Sequence, residues 1–301
     1  MKKVLFTGVC TAMVTPFLDG RINYPMMEQL LQRQFAAGIT TVVIAGTTGE
    51  AATLTDDEKL ALFARCKAYV GQSMQIIAGT GSNATEHTVY LSKEAEKLGV
   101  DGLLVVSPYY NKASRDGLIA HYKAVAEAVS LPVILYNVPS RTGVDIPVEV
   151  YRNLSGIPNI AGVKEASTSI SKLLRLREAC GDRLPIWAGN DDMATAVTAL
   201  GGKGVISVAS NVVPEWMESM VAAALDGDFD TASSLQIRLQ PLCDFLFSEV
   251  NPIPVKAALQ RIGLDCGGCR LPLTAMKEAQ MAEFEKIFSG IDEKIHGLFI
   301  K

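Results

Sequence analysis

The chain has 301 residues, of which 49% are hydrophobic and 20% are charged, and its formal net charge at pH 7 is −4. This composition is typical of a globular protein with a large core, and a mildly acidic chain lacks the basic surface that nucleic-acid binding requires. No apolar run reaches the length of a transmembrane helix, and no secretory signal follows Lys2 and Lys3. We therefore expect a cytoplasmic protein with no membrane or nucleic-acid partner.

Short apolar runs alternate with longer amphipathic segments along the chain. Two of these segments, Thr55–Val70 and Asp116–Val129, have the length of crossover helices, and the first opens with the capping-box spacing of Thr55 and Glu58. The short runs predict strands at 8–13, 41–45, 75–78, 102–106, 132–136, 160–164, 185–188 and 204–207. Eight strands with intervening helices fit an α/β fold of the (β/α)8 TIM-barrel type better than a doubly wound sheet.

Three further helical segments follow the eighth strand, at 229–249, 254–263 and 273–288. No linker or low-complexity tract separates them from the preceding residues. We therefore predict a catalytic barrel over residues 1–225 and a C-terminal three-helix extension over residues 226–301, packed on the barrel.

Six cysteines are scattered through the chain, mostly in apolar segments, as is usual in a reducing compartment. Cys266 and Cys269 form the only close pair, whereas a structural zinc site needs four ligands. The histidines at 87, 121 and 296 do not cluster with this pair. We expect a loop at this point, and neither a metal nor another cofactor.

Lys164 is the most informative residue, because it lies where the predicted strand 160–164 ends. Desolvation at the mouth of an apolar barrel disfavours the charged form of an amine. The neutral amine is the nucleophile that Schiff-base chemistry with a carbonyl substrate requires. Strand alternation should direct the next residue, Glu165, away from the barrel interior. The alternative is that Lys164 is an ordinary strand-end lysine whose amine extends into solvent. The residues at the other strand ends decide between the two.

The loops that follow the strands of a TIM barrel carry its function. The segment Gly46-Thr47-Thr48-Gly49-Glu50 can turn consecutive amides inward as an anion nest, although a tight turn would account for it equally well. Tyr136 lies five residues before Arg141, which brings a candidate proton carrier close to a carboxylate clamp. Tyr109 and Tyr110 follow another strand, where two phenols often form only rim packing.

These groups converge on one face of the predicted barrel. An amine, a phenol, an anion nest and an arginine suit a keto acid that is held as an imine and joined to a second anionic substrate. The residues therefore predict a class I aldolase-type reaction.

Three motifs resemble those of the dihydrodipicolinate synthase (4-hydroxy-tetrahydrodipicolinate synthase) family. They are Gly-Thr-Thr-Gly-Glu at 46–50, Tyr-Asn-Val-Pro-Ser-Arg-Thr-Gly at 136–143 and Gly-Val-Lys-Glu at 162–165. The resemblance covers about residues 6–290, including 204–208 and 251–256. The first and third motifs alone indicate the wider pyruvate-dependent aldolase superfamily. Arg141 is the narrower signal, because related sialic-acid lyases and sugar-acid aldolases differ there.

The resemblance implies a lyase that condenses pyruvate with L-aspartate-4-semialdehyde to 4-hydroxy-tetrahydrodipicolinate, the first committed step toward diaminopimelate and lysine. It implies that Lys164 forms the imine with pyruvate and that Tyr136 moves protons. By the same resemblance, Thr47 links Tyr136 to Tyr110, which a neighbouring subunit contributes. The family's homotetramer of two tight dimers is therefore expected here.

The resemblance also implies the substrate-binding residues. Thr48 and nearby amides would hold the pyruvate carboxylate, and Arg141 would bind the semialdehyde carboxylate and help to keep Tyr136 in place. The main chain at Ile206 would border the pyruvate site, and Gly189 would belong to the same set.

One region departs from the family pattern. Lysine-inhibited members are similar at Asn83 and Tyr109 but carry histidines in the helix after the Gly-Thr-Thr-Gly-Glu motif. Those positions hold Asp56 and Lys59 here, and His87 stands where an acidic ligand for the effector amine is expected. A cationic Lys59 would repel a lysine effector, so we predict weak or absent inhibition by lysine. The candidate effector region comprises Ala52, Asp56, Lys59, Asn83, His87 and Tyr109.

Three alternatives are left open by the residues. A sugar-acid or sialic-acid aldolase would need a pocket for a polyol, in which Arg141 would be misplaced. A catalytically silent barrel that binds a metabolite would be expected to have lost Lys164 or Tyr136. A barrel isomerase would need a phosphate site after its last strands, but the glycine-rich segment 201–204 precedes the last strand and should lie at the opposite face.

Overall fold

The computed structural model describes residues 3–282 and 284–287. Eight parallel strands close into a barrel, in the order β1, β10, β9, β8, β7, β6, β5 and β4, and β4 pairs with β1. The strands are β1 (Gly8–Ala12), β2 (Phe17–Leu18), β3 (Arg21–Ile22), β4 (Thr41–Ile44), β5 (Gln75–Gly79), β6 (Gly102–Val106), β7 (Val133–Asn137), β8 (Ile160–Glu165), β9 (Ile186–Ala188) and β10 (Gly204–Ser207). The predicted (β/α)8 TIM barrel is confirmed.

All eight predicted strands are found, with ends that agree to within one residue. They read as apolar runs because both of their faces are covered, one by the barrel interior and the other by helices. The short antiparallel pair of β2 and β3 was missed by the sequence analysis. Two residues per strand are too few to show an alternating pattern.

Helices follow the barrel strands and cover their outer faces. They are α1 (Tyr24–Ala36), α2 (Asp56–Val70), α3 (Thr85–Lys97), α4 (Arg115–Ala128), α5 (Pro139–Thr142), α6 (Val148–Leu154), α7 (Ile170–Cys180), α8 (Ala194–Ala199), α9 (Pro214–Leu225), α10 (Phe229–Leu246) and α11 (Ile253–Arg261). The predicted capping box at the start of α2 is confirmed. Thr55 Oγ1 accepts from the Glu58 amide at 3.2 Å, and Glu58 Oε2 accepts from the Thr55 amide at 3.0 Å.

The register between β7 and β8 contains an irregularity. Val133 pairs with Ile160, but the next residue of β7, Ile134, pairs with Gly162, so β8 carries one extra residue. A side chain on Gly162 would place its Cβ 2.4 Å from the Pro185 carbonyl oxygen. A bulge of this kind changes which residues lie opposite each other from that point onward.

Aromatic side chains fill the barrel interior near the amino ends of the strands. The rings of Phe6 and Trp187 stack with centroids 4.7 Å apart, and Trp187 Nε1 donates to the Phe6 carbonyl at 3.3 Å. Lys203, in the glycine-rich segment, lies at this same end, since its carbonyl accepts from the Gly8 amide at 2.9 Å. The glycine-rich segment is therefore on the face opposite the carboxyl ends, as the sequence predicts.

The helices beyond α9 form the C-terminal extension. The predictions at 229–249 and 254–263 are confirmed by α10 and α11, each to within three residues. The third prediction, 273–288, corresponds to helical residues 278–282 and 284–287, and residue 288 lies outside the described residues. The domain boundary at residue 225 stays a prediction. In the described part of the chain, no helix has the length and apolarity that a membrane span requires.

Candidate active site

Lys164 and Tyr136 lie side by side because the strand register pairs them. After the bulge, Tyr136 of β7 lies opposite Lys164 of β8, and opposite residues of a parallel pair point to the same face. Lys164 is only 4% exposed, and its Nζ is 4.5 Å from the centroid of the Tyr136 ring. No carboxylate of the described residues forms an ion pair with this amine. A buried amine without a counter-ion, beside a phenol, is suited to nucleophilic catalysis.

Glu165 points away from the barrel interior, as predicted, and has its own partners. Its Oε1 accepts from Asn137 Nδ2 at 2.7 Å and from the Ser167 amide at 2.9 Å. Its Oε2 accepts from the Tyr151 hydroxyl at 3.2 Å. Burial, and then the charge of Glu165, raise the pKa of Tyr151 well above its usual value, so the phenol stays a donor. This carboxylate is therefore satisfied without Lys164.

The loop after β4 presents backbone amides. Thr48 is buried, and the amides of residues 46–49 donate no hydrogen bond within the described chain. Ala45 and Glu50 adopt left-handed φ values of 52° and 56°, which turn the loop sharply at both ends. Gly79, at the end of β5, permits the close approach of this loop to β5, because a Cβ on residue 79 would lie 2.1 Å from the Ala45 carbonyl oxygen. Free amides in a turned loop are the arrangement that the anion-nest prediction requires.

A cavity of about 730 Å³ opens at the carboxyl ends of the strands. Thr47, Tyr136 and Arg141 line it. Five residues of the candidate effector region line the same cavity: Ala52, Asp56, Lys59, His87 and Tyr109. Part of the predicted catalytic set therefore shares this cavity with the effector region, whereas Lys164, Thr48 and Tyr110 are not among its lining residues. Among the described residues, no three His, Cys, Asp or Glu side chains cluster in a way that could hold a metal ion.

Arg141 and Thr47 line the cavity, but in the single chain neither makes the predicted contact with Tyr136. Arg141, in α5, directs its Nη2 to the Asn251 carbonyl at 3.5 Å. In the described chain no hydrogen bond joins Arg141 or Thr47 to Tyr136. Tyr110 is 90% exposed and adopts a φ of 72°. The proton-relay and restraining roles of these residues stay predictions.

Gly189 directly follows β9, and Ile206 lies in β10. The Gly189 amide donates to the Glu165 carbonyl at 2.8 Å, and a Cβ on Gly189 would lie 2.6 Å from the Ala166 side chain. Ile206 is fully buried and lies opposite Cys10 of β1. Neither residue is among those that line the cavity, so their predicted contact with substrate stays a prediction.

Asp191 joins the loops that follow β9 and β10. Its Oδ2 accepts from the Val208 amide at 3.0 Å and from the Ala209 amide at 2.9 Å. Burial raises the pKa of this carboxyl above its usual value. Two amide donors hold the turn that follows Ile206, and sequence reasoning gave Asp191 no such role.

The effector region contains a three-residue charge cluster. Asp56 lies between the two basic groups, with His87 Nε2 at 2.8 Å and Lys59 Nζ at 3.7 Å from its carboxylate oxygens. Asn83 is held by a residue outside the effector region: its main-chain carbonyl accepts from Asn111 Nδ2 at 2.9 Å. The cluster therefore keeps a cation and an imidazole at the wall of the cavity.

A buried ion pair that was not predicted from the sequence joins the C-terminal extension to the loop after β4. Lys256 Nζ is 2.6 Å from Glu50 Oε1, and the side chains are 4% and 0% exposed. Lys256 also donates to the Gly268 carbonyl at 3.0 Å and lies over the Phe17 ring. A lysine inside the apolar pattern of 251–259 was the available signal, since such a residue needs a buried partner.

Arg270 strengthens the same connection from the following loop. Its amide donates to Glu50 Oε2 at 2.9 Å, and its guanidinium holds Glu58 with two hydrogen bonds of 2.6 and 2.7 Å. Cys266 and Cys269 are free thiols in this loop. Burial raises the pKa of Cys266 to about 12 and, together with the Glu50 charge, that of Cys269 to about 11, so both thiols are protonated at neutral pH.

The fold and the site define a class of protein. A closed (β/α)8 barrel with a buried lysine beside a tyrosine at its carboxyl end is a barrel enzyme of the class I aldolase type. Residues 5–291 match the Dihydrodipicolinate synthetase family, and the chain belongs to that family. The lyase that the sequence predicts is thereby confirmed.

Individual relatives are similar to this chain in sequence and structure over nearly its whole length. A 4-hydroxy-tetrahydrodipicolinate synthase from Acetivibrio thermocellus is 44% identical, over 92% of this chain and 94% of its own length. The structure of the same enzyme from Methylacidiphilum fumariolicum superposes with a TM-score of 0.95 at 40% identity, over 97% of this chain and 98% of that one. A DHDPS from Cyanidioschyzon merolae with lysine bound gives a TM-score of 0.93 at 38% identity, over 96% and 99% of the two chains.

The Glu50–Lys256 pair predicts a large loss of stability for Lys256→Met. The variant leaves Glu50 buried without a counter-charge, which should lower the free energy of unfolding by about 3–5 kcal/mol. Denaturant unfolding at fixed protein concentration measures this change. The double variant Glu50→Gln, Lys256→Met should recover part of the loss, because no charge is then left unpaired. As a control, Lys123→Met removes an exposed pair with Glu127 and should have little effect; equal losses in Lys256→Met and Lys123→Met would contradict the prediction.

Proposed function

We propose that the chain condenses pyruvate with L-aspartate-4-semialdehyde through an imine on Lys164. The amine attacks the keto carbon of pyruvate and water leaves. Loss of a methyl proton gives an enamine, whose carbon attacks the aldehyde. The amino group of the semialdehyde then closes the ring onto the imine carbon and releases Lys164, giving 4-hydroxy-tetrahydrodipicolinate. The observation that carries this proposal is the buried Lys164, which forms no direct ion pair among the described residues and lies beside Tyr136.

The two carboxylates of the substrates would occupy different donors. The free amides of residues 46–49 and the hydroxyl of Thr48 suit the carboxylate of pyruvate. The guanidinium of Arg141, at the cavity wall, suits the carboxylate of the semialdehyde. The main chain at Ile206 and Gly189 would border the pyruvate site from below.

Tyr136 would move the protons in this scheme. A phenol close to the reacting amine can protonate the departing hydroxyl, which leaves as water, and later accept a proton during ring closure. Thr47, at the same cavity, would connect Tyr136 to Tyr110 of a neighbouring subunit. The exposure of Tyr110 and Tyr109 in the single chain supports this part of the proposal, because both phenols are available to a second copy.

The proposed assembly is a homotetramer built from two dimers, with the dimer as the smallest complete site. Tyr110 does not line the cavity of its own chain, so an exchange of this residue between two copies would complete both sites. An exchange of the same residue in both directions requires a twofold interface.

A cytoplasmic location belongs to the same proposal. All six cysteines are free thiols, including five that are buried. Free thiols are the usual state of cysteine in a reducing compartment.

Lys164→Ala should abolish trapping of pyruvate on the protein. Borohydride reduces an imine to a stable amine, so intact mass and peptide mapping of the native chain should show a pyruvate adduct on Lys164. The variant should show no adduct, and its turnover should fall by several orders of magnitude because the covalent route is lost. Lys123→Ala, which changes an exposed lysine of α4, is the matched control. An unmodified native chain would refute the imine.

Tyr136→Phe should fold normally but react slowly. Removal of a positioned acid–base group lowers turnover by about 10²–10⁴, and the ring itself is retained. Steady-state kinetics measures the change, and circular dichroism checks the fold. Near-normal turnover in this variant would remove Tyr136 from the mechanism.

L-Lysine should inhibit the enzyme weakly or not at all. Lys59 lies at the cavity wall, and its ammonium would oppose that of a lysine effector. Initial rates measured against lysine concentration test this. Lys59→His removes the fixed cation and should increase the sensitivity to lysine. An inhibition constant in the low- to mid-micromolar range for the unaltered chain would be incompatible with the prediction.

A further inference from the structure

Asn251 is a buried polar residue that the catalytic scheme does not use. It lies between α10 and α11, in the C-terminal extension, and is 5% exposed. Its side chain reaches across to the loop after β4, where Nδ2 donates to Thr48 Oγ1 at 3.0 Å. Asn251 also lines the cavity. A residue of the extension therefore contacts the proposed pyruvate subsite directly.

The direction of this hydrogen bond determines whether the Thr48 hydroxyl accepts or donates. An amide nitrogen can only donate, so Thr48 Oγ1 is the acceptor. The proton of the hydroxyl then remains for another acceptor, and Thr48 donates to none in the described chain. A carboxylate beside Thr48 would receive that proton in a charge-assisted hydrogen bond.

The main chain of Asn251 contacts the other proposed carboxylate site. Its carbonyl accepts from Arg141 Nη2 at 3.5 Å. Catalytic hydrogen bonds are often long in an unliganded site and shorten when the substrate binds. One residue thus contacts both groups, through its side chain on one side and its main chain on the other.

Stability alone gives little reason for this asparagine. Its Oδ1 is buried and has no hydrogen-bond partner among the described residues, and an unsatisfied buried oxygen opposes folding. Thr48 is the one described partner of the side chain. Such an exception calls for a specific reason, and the contact with Thr48 supplies one.

We propose that Asn251 is a positioning residue that orients the Thr48 hydroxyl toward the pyruvate carboxylate while its carbonyl restrains Arg141. The proposal rests on the proposed function, in which Thr48 and Arg141 bind the two carboxylates. It makes the C-terminal extension part of the active site.

The two contacts can be separated by substitution. Asn251→Ala removes the amide but keeps the main-chain carbonyl, so it breaks the contact with Thr48 and preserves the contact with Arg141. The KM for pyruvate should rise about 10- to 100-fold, the effect of weakening one hydrogen bond to a charged group. The KM for L-aspartate-4-semialdehyde should stay within about twofold of its native value.

A double-mutant cycle tests whether Asn251 acts through Thr48. Thr48→Val removes the hydroxyl, so adding Asn251→Ala in that background should raise the KM for pyruvate little further. Asn153→Ala is the matched control, because that exposed asparagine donates to a carbonyl within α6 and should leave both KM values unchanged.

Asn251→Asp is a second variant with the same shape, and it carries the test if Asn251→Ala folds poorly. A carboxylate cannot donate, so the Thr48 hydroxyl would turn toward it, and the new charge would repel pyruvate. The KM for pyruvate should rise more than in Asn251→Ala. Circular dichroism and thermal unfolding compare the folds.

The outcomes separate this inference from the proposed function. Equal changes in both KM values, no change in either, or additive effects with Thr48→Val would each overturn the role of Asn251. Absence of a borohydride-trapped pyruvate adduct on native Lys164 would instead overturn the proposed function. An adduct on native Lys164 that forms at the same pyruvate concentration in Asn251→Ala would overturn only the inference.

Discussion

The register between β7 and β8 is the constraint on which the site depends. If β8 continued the register of Val133 and Ile160 without a bulge, Tyr136 would lie opposite Val163, and Lys164 would lie opposite Asn137. The bulge moves Lys164 opposite Tyr136, on the inward face, and directs Glu165 outward to Asn137. Gly162 allows the bulge because the Pro185 backbone leaves no room for a side chain. One local irregularity therefore sets both the position of Lys164 beside Tyr136 and its separation from the carboxylate of Glu165.

The C-terminal extension holds the opposite side of the site. Glu50 ends the loop of free amides, and its carboxylate is held by Lys256 and by the Arg270 amide. Because the carboxylate is fully buried, the loop cannot move away without separating an ion pair in a low-dielectric environment. The extension thus fixes the geometry of a loop that the barrel alone leaves at its edge.

The sequence predicts much of this structure, and the features that it does not predict were missed for physical reasons. Eight apolar runs predicted the barrel strands, because a strand buried on both faces needs apolar side chains in succession. Lys164, Tyr136 and Arg141 were predicted as site residues because the strand ends of a barrel share one face; Tyr136 does lie beside Lys164, and Tyr136 and Arg141 line one cavity. The bulge at Gly162 was not found, since an extra residue leaves no periodic trace. The pairing of Glu50 with Lys256 was not found either, because contacts between residues about two hundred positions apart depend on the tertiary fold. The role of Tyr110 depends on a second chain and stays a prediction.

The stacked rings of Phe6 and Trp187 occupy the barrel interior on the side away from the cavity at the carboxyl ends of the strands. On the proposed function, both substrates would approach Lys164 through this cavity, and the water released on imine formation would leave by it. A semialdehyde that arrived first would stand in the path of pyruvate, which has to reach the deeper position beside the amine. On the proposed function, the keto acid would therefore have to bind before the aldehyde.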